Sequence, residues 1–310
     1  MGLTPSLFDS MLSEFNLFDG HLRVELGLRY DYFTFGVKGF ELTDVRTNID
    51  GSQSKGEFQP KASVALSPFE RIPMSFYANY GRGISSQDAR GIVRDPSSPK
   101  LSTTDFYQVG TSFNGRRVSG VLSSFFIDPS NEQVYIPDDG TTELAAPSRS
   151  YGVEARTSVR ISKHLSFNGG LTNVIRSFYR GEFTADGRRV VVDSAPHFVA
   201  NAGIVLSEFR GFNSSLTLRH ISNYRLDGED PTLKASGNDV VDLAVSKHLR
   251  KSVDVNFAID NLLNKKYFET QNFFASRTCP TCRPIERIHV TPGYPFTVSV
   301  GLTFRLGAKN

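Results

Sequence analysis

From Phe296 to Leu306 every second residue is apolar: Phe296, Val298, Val300, Leu302, Phe304 and Leu306 alternate with Thr297, Ser299, Gly301, Thr303 and Arg305. A strict period of two specifies a β-strand with one apolar and one polar face. The run is eleven residues long, beyond the ~5–6 common in soluble proteins and about what a tilted strand needs to cross a bilayer.

The pattern recurs along the chain. A first complete strand is predicted over about 21–36, with Leu22, Val24, Leu26, Leu28, Tyr30 and Tyr32 on one face. Arg23, Glu25, Gly27, Arg29 and Asp31 occupy the other, and such charges need water or mutual pairing. Further alternating segments fall near 56–68, 74–81, 104–114, 117–127, 150–160 and 164–177, then 196–206, 213–222, 239–247, 252–264 and 293–306. Residues 3–17 hold either the remnant of one more strand or, at Asp9–Phe15, a helical turn.

The connections alternate between short and long. Pro68–Pro73, Asn114–Arg117, Ile161–Lys163, Ser207–Phe212 and His248–Lys251 are short. Val37–Lys55, Arg82–Thr103, Asp128–Arg149, Phe178–Ala195, Asn223–Asn238 and Lys265–Pro292 are long and rich in Gly, Pro, Ser, Asn and Asp. Short turns on one rim and long loops on the other predict an all-β, transmembrane, antiparallel up-and-down β-barrel of about 12 strands, spanning residues 1–310. The competing reading is a soluble antiparallel sandwich or barrel with its apolar face inward. That fold would need an unusually large core and gives no reason for the two-rim order of the loops.

Composition narrows the classes further. A length of 310 residues allows one large β domain or two smaller ones, and no stretch reaches the ~18 apolar residues of a membrane-spanning helix. The mean hydropathy of -0.26 does not exclude a barrel, because lumen-facing positions dilute it. A net charge of +3, without a basic block, argues against nucleic-acid binding. The 25 Phe and 11 Tyr can furnish interfacial girdles, although the absence of Trp is unusual for that role. Met1–Ser6 shows no basic and apolar leader, so a signal peptide is expected upstream and the chain is read as a fragment. The formal match of those residues to a myristoylation pattern is read as coincidence.

Several segments carry a family resemblance. Gly27-Leu28-Arg29-Tyr30-Asp31, Phe58-Gln59-Pro60-Lys61 and Tyr77-Ala78-Asn79-Tyr80-Gly81-Arg82-Gly83 resemble strand motifs of TonB-dependent outer-membrane receptors, in that order. Ser86-Gln87-Asp88-Ala89-Arg90-Gly91 is similar to a loop found in some members. Tyr107-Gln108-Val109-Gly110, Tyr151-Gly152-Val153-Glu154, Asp260-Asn261-Leu262-Leu263-Asn264-Lys265-Lys266-Tyr267 and Pro292-Gly293-Tyr294-Pro295 continue the series. The resemblance implies the C-terminal part of a 22-strand receptor barrel. Two features depart from it. No plug domain is present, and Phe304 is followed by six more residues where the family usually ends on an aromatic.

By that resemblance the protein would take up a scarce solute across the bacterial outer membrane, most readily a metal chelate such as a ferric siderophore. Its partners would be outer-membrane lipid, the extracellular solute and, through an N-terminal plug, the TonB energy-transducing complex. The alternatives are a free-standing outer-membrane pore or anchor without energy coupling, and a soluble β-rich binding protein. Ligand contacts are expected from loop residues Arg82, Gln87, Asp88 and Arg90, and a lumen-facing polar wall from Arg23, Glu25, Arg29, Asp31, Glu154, Arg156 and Asp254.

No pattern points to an enzyme, a cofactor or a resident metal. Cys279-Pro280-Thr281-Cys282 could be redox-active or half of a zinc site, but in an extracellular loop it reads as a disulfide staple. Gly81-Arg82-Gly83 lacks the third glycine of a nucleotide fingerprint. The six histidines are dispersed and are expected to be solvated surface groups. Asp193 and His197, close at a loop end, are the one weak acid–imidazole pairing in sequence.

Overall fold

Leu12 faces Gly27, Phe15 faces Val24 and Leu17 faces Leu22, so the ambiguous first segment is a strand, Gly2–Leu17, and not a helical turn. The computed structural model describes residues 2–41, 48–136, 141–250, 252–279 and 282–305. The chain forms two compact units, residues 1–111, 124–151 and 176–190 in the first and 112–123, 152–175 and 191–310 in the second. Four strands, Leu101–Asn114, Val118–Pro129, Ser148–Arg160 and Leu165–Phe183, contribute residues to both.

The first unit contains the strands Gly2–Leu17, Leu22–Glu41, Asn48–Leu66 and Met74–Ser86, each paired antiparallel with the next. The turn between the first two is closed by Phe18, Asp19 and Gly20, all at positive φ. In the second unit Phe198–Phe209, Phe212–Ile221, Asn238–Arg250, Val253–Asp260 and Thr297–Phe304 pair antiparallel in chain order. The penultimate strand stops at Asp260, four residues short of expectation, because Asn261 turns to a φ of 50°.

Burial follows the period of two and decides between the two β readings. In the first unit Leu28 is 49% exposed while its polar-face neighbour Asp31 is buried. In the second unit Val300 is 72% exposed, and Leu216, Leu218, Ile204 and Val298 are exposed with it. A soluble sheet buries its apolar face. Here that face is turned outward, as contact with hydrocarbon requires. Buried apolar side chains occur instead where loops fold on strand ends, as at Phe35, Val37, Ala89, Ile92 and Leu101.

Candidate functional site

The polar face of the first unit is a chain of paired charges. Arg23 binds Glu14 at 3.1 Å and also Glu25. Arg29 donates twice to Asp31 at 2.7 Å, and Gln59 adds a third hydrogen bond to the same carboxylate. Ser63 and Asn79 continue the network to Gln108. In the second unit Arg156 binds Glu154 at 2.6 Å, beside a concavity that Asn168, Gly170, Asn201 and Thr217 also line. These charges lie on the polar strand faces and pair with one another there. Asp254 differs. It accepts from His248 and from Arg305 (2.7 Å), and so belongs to a cluster next to a short turn.

The opposite face of the first unit carries a row of rings. Tyr30 meets Phe58 at 4.6 Å between centroids, and Tyr80 meets Tyr107 at 4.9 Å. Tyr107 continues to Phe126 at 6.0 Å and Phe126 to Tyr151 at 6.5 Å. The row is built from Phe and Tyr alone. Ion pairs adjoin the row: Arg82 with Asp105, which also accepts from the Tyr80 hydroxyl, and Asp128 with both Arg149 and Arg180.

The four loop residues expected to touch a ligand are held in a folded substructure. Asp88 caps the helix Ala89–Arg94 through the Arg90 N–H, and the Arg90 guanidinium returns to the Asp88 carboxylate at 2.7 Å. The Arg90 guanidinium holds that carboxyl below its ordinary range, followed by opposing burial and the cap itself. Gln87 is 6% exposed, and its side chain donates to the Asn131 carbonyl at 3.3 Å. Ile92 and Ala89 pack on Phe35, Val37 and Leu101. The expected Arg82–Thr103 connection is shorter, because the strands extend to Ser86 and from Leu101; between them the chain is an ordered cap, with Arg82 tied at its base to Asp105. Side-chain capping at Asp88 was the local signal for the helix.

Each of the six histidines is half-buried and has a partner. His21, His164 and His197 each bond a backbone carbonyl, of Ser67, Ser207 and Val174 respectively. His220 pairs with Asp239 at 2.6 Å, His248 with Asp254, and His289 stacks on Phe274. His197 is thus committed to Val174 and not to Asp193. Burial, and then the nearby Asp227, push the Asp193 carboxyl above its ordinary value. Cys279 and Cys282 are joined as a disulfide at the tip of the hairpin Phe268–Ser276/Ile285–Pro292. Among the described residues no group of three or more His, Cys, Asp or Glu could hold a metal ion.

Residues 12–262 match the family model described as TonB dependent receptor-like, beta-barrel. The chain belongs to that family. Its fold is similar to that of the copper transporter OprC (TM-score 0.74, 16% identity, 96% of this chain and 46% of that one). It is also similar to the siderophore receptor PiuA from Acinetobacter baumannii (TM-score 0.74, 16% identity, 96% and 42%). A third similar structure is the ferric yersiniabactin uptake receptor FyuA from Yersinia pestis (TM-score 0.72, 13% identity, 96% and 45%). The chain spans less than half the length of each, and its antiparallel strands make up part of a TonB-dependent receptor barrel. No curated protein sequence gives a significant match.

The segment Asp260–Tyr267, one of those that carry the family resemblance, has a physical explanation here. Asn261 is 1% exposed and donates through Nδ2 to the Lys265 and Tyr294 carbonyls at 2.8 and 3.0 Å. Its Oδ1 accepts from the Lys265 N–H, and its own N–H donates to Asp242. Gly293 lies so close to Tyr267 that a Cβ there would stand 2.2–2.5 Å from the ring, and its N–H bonds the Tyr267 carbonyl. Asn261, Tyr267, Gly293 and Tyr294 thereby pinch the neck of the disulfide-tipped hairpin.

Proposed function

We propose that this chain is the barrel portion of an outer-membrane receptor that imports a scarce solute with energy from the TonB complex. The solute would be a metal chelate of the ferric siderophore class. The observation that carries this reading is the folded Arg82–Thr103 cap. A connection between two strands needs only a few residues, and this one builds a helix, a small core and an ion-paired base. Arg82, Gln87, Asp88 and Arg90 lie in or beside that cap and would set the charge presented to an anionic chelate. The siderophore receptors among the structures of similar fold support the same class. Transport is gated binding without bond chemistry, so no catalytic residue is assigned.

Coupling would run through an N-terminal plug that hydrogen-bonds the polar wall of Arg23, Glu25, Arg29, Asp31, Glu154 and Arg156. The deciding measurement is equilibrium binding of the refolded 310-residue chain to a panel of ferric catecholate, ferric hydroxamate, ferric citrate and cobalamin. Binding of one ferric chelate at about micromolar Kd or tighter is expected. No binding across the panel, with steady ion conductance in planar bilayers that needs no proton gradient, would establish the free-standing pore instead.

A further inference from the structure

The short turns of the second unit form one continuous rim. The Arg160 N–H bonds the Arg117 carbonyl at 2.7 Å, Ser207 bonds His164 at 2.8 Å, His248 bonds Gly211 at 2.9 Å and Arg305 bonds Ser252 at 2.9 Å. Five cations stand along it: Arg116, Arg117, Lys163, Arg210 and Lys247. None of the five has a carboxylate at ion-pair distance among the described residues. Arg82, Arg149, Arg180 and Arg188 in the first unit, by contrast, each bind an aspartate.

Each turn also carries exposed apolar side chains next to its cations: Phe113 and Val118, Ile161, then Phe209 and Phe212. The Lys247 ammonium lies 3.7 Å from the centre of the Phe212 ring, and the Arg210 guanidinium 5.6 Å from that of Phe209. A long cationic side chain lying on an aromatic ring beside an apolar strand face has its stem in hydrocarbon and its charge at headgroup depth. Water alone does not call for five cations without a carboxylate at that depth. Phosphate does.

We infer that the short-turn rim of the second unit is a docking surface for anionic phospholipid headgroups of the leaflet it contacts, with phosphatidylglycerol as the chemistry it fits. The inference rests on the membrane-barrel reading of the fold. The apolar side chains set the depth of the rim, and the five cations neutralise phosphodiesters arranged along it. Glu208, the acidic residue within these turns, is occupied by Asn213 and His248 and leaves the cations available.

The test refolds the full chain into vesicles of phosphatidylcholine with phosphatidylglycerol and measures, by electron spin resonance, which spin-labelled lipid is immobilised on the protein. Preference for the phosphatidylglycerol label by roughly threefold to tenfold is expected, with each lost cation weakening it by up to about fivefold. The preference should fall toward unity in about 0.5 M salt. It should fall likewise in the variant Arg116→Gln/Arg117→Gln/Lys163→Gln/Arg210→Gln, and persist in Arg188→Gln. If the fourfold variant fails to refold, Lys163→Gln/Arg210→Gln, both at exposed turn positions, gives the same reading at smaller amplitude. Equal immobilisation of both lipids, or a preference that the substitutions leave unchanged, overturns the inference while the barrel reading stands. No immobilised component with either lipid overturns the barrel reading, and the inference with it.

Discussion

Glu14 and Glu25 stand directly opposite each other on adjacent strands, and Arg23 binds both. Two carboxylates in that position repel, so the arginine holds the first hairpin of the polar wall in register. Arg23→Gln should lower stability against urea by about 1 kcal/mol, and adding Glu25→Gln should restore most of the loss. Additive losses in the double variant would show that the three charges act independently.

Val300 and Ser299 test the assignment of the two faces. Val300 lies opposite Phe257 on the exposed apolar face, and Ser299 opposite Ala258 on the polar one. Arginine at a lipid-facing midplane position costs about 2–4 kcal/mol, and much less on a wet face. Refolding into vesicles should therefore fail or weaken for Val300→Arg and proceed for Ser299→Arg.

Ile92 is the central side chain of the small core beneath the Arg82–Thr103 cap. Ile92→Ala should cost about 2–5 kcal/mol locally. Amide exchange is expected to accelerate across residues 89–101 while the strands keep their protection. Chelate binding should weaken in parallel. Loss of protection throughout the sheet would mean that the cap is structurally continuous with the strands.

Asp193 should give a pH-dependent signature. Its folded-state value lies above the ordinary carboxylate range, chiefly through burial. The ionised form is therefore the one that folding disfavours, and the penalty is present in full at neutral pH. As pH falls through the raised folded value the carboxyl takes up a proton and the penalty vanishes. Asp193→Asn should accordingly stabilise its loop at pH 7, with a gain that shrinks in acid. Melting curves of the two proteins at both pH values measure it, and a gain that grows in acid would contradict the assignment.

The strands were legible because alternation is a local property, visible in each segment alone. So was the shared face of Arg23, Glu25, Arg29 and Asp31, since parity places them on one side of the strand whatever their partners. The pairing on that face was not, because Glu14 sits in a segment whose pattern was ambiguous until Gly27 and Glu25 lay beside it. The cap was hidden for a similar reason. Its helix is six residues long with Gly91 inside it, and its stability comes from Phe35 and Val37, distant in sequence. Dispersed histidines looked inert because backbone carbonyls and cross-strand aspartates leave no trace in spacing.

The pinched neck at Asn261, Tyr267 and Gly293 separates two kinds of constraint on the chain. Below it, Asp242, Lys265 and Tyr294 are committed to one arrangement of hydrogen bonds, and few substitutions fit. Beyond it, the hairpin closes on its own disulfide and strand pairing. Its tip can therefore change sequence, charge or length while the transmembrane strands fold as before. Such a joint lets natural variation retune the hairpin at little risk to assembly, and it marks residues 268–292 as the place to graft a new epitope.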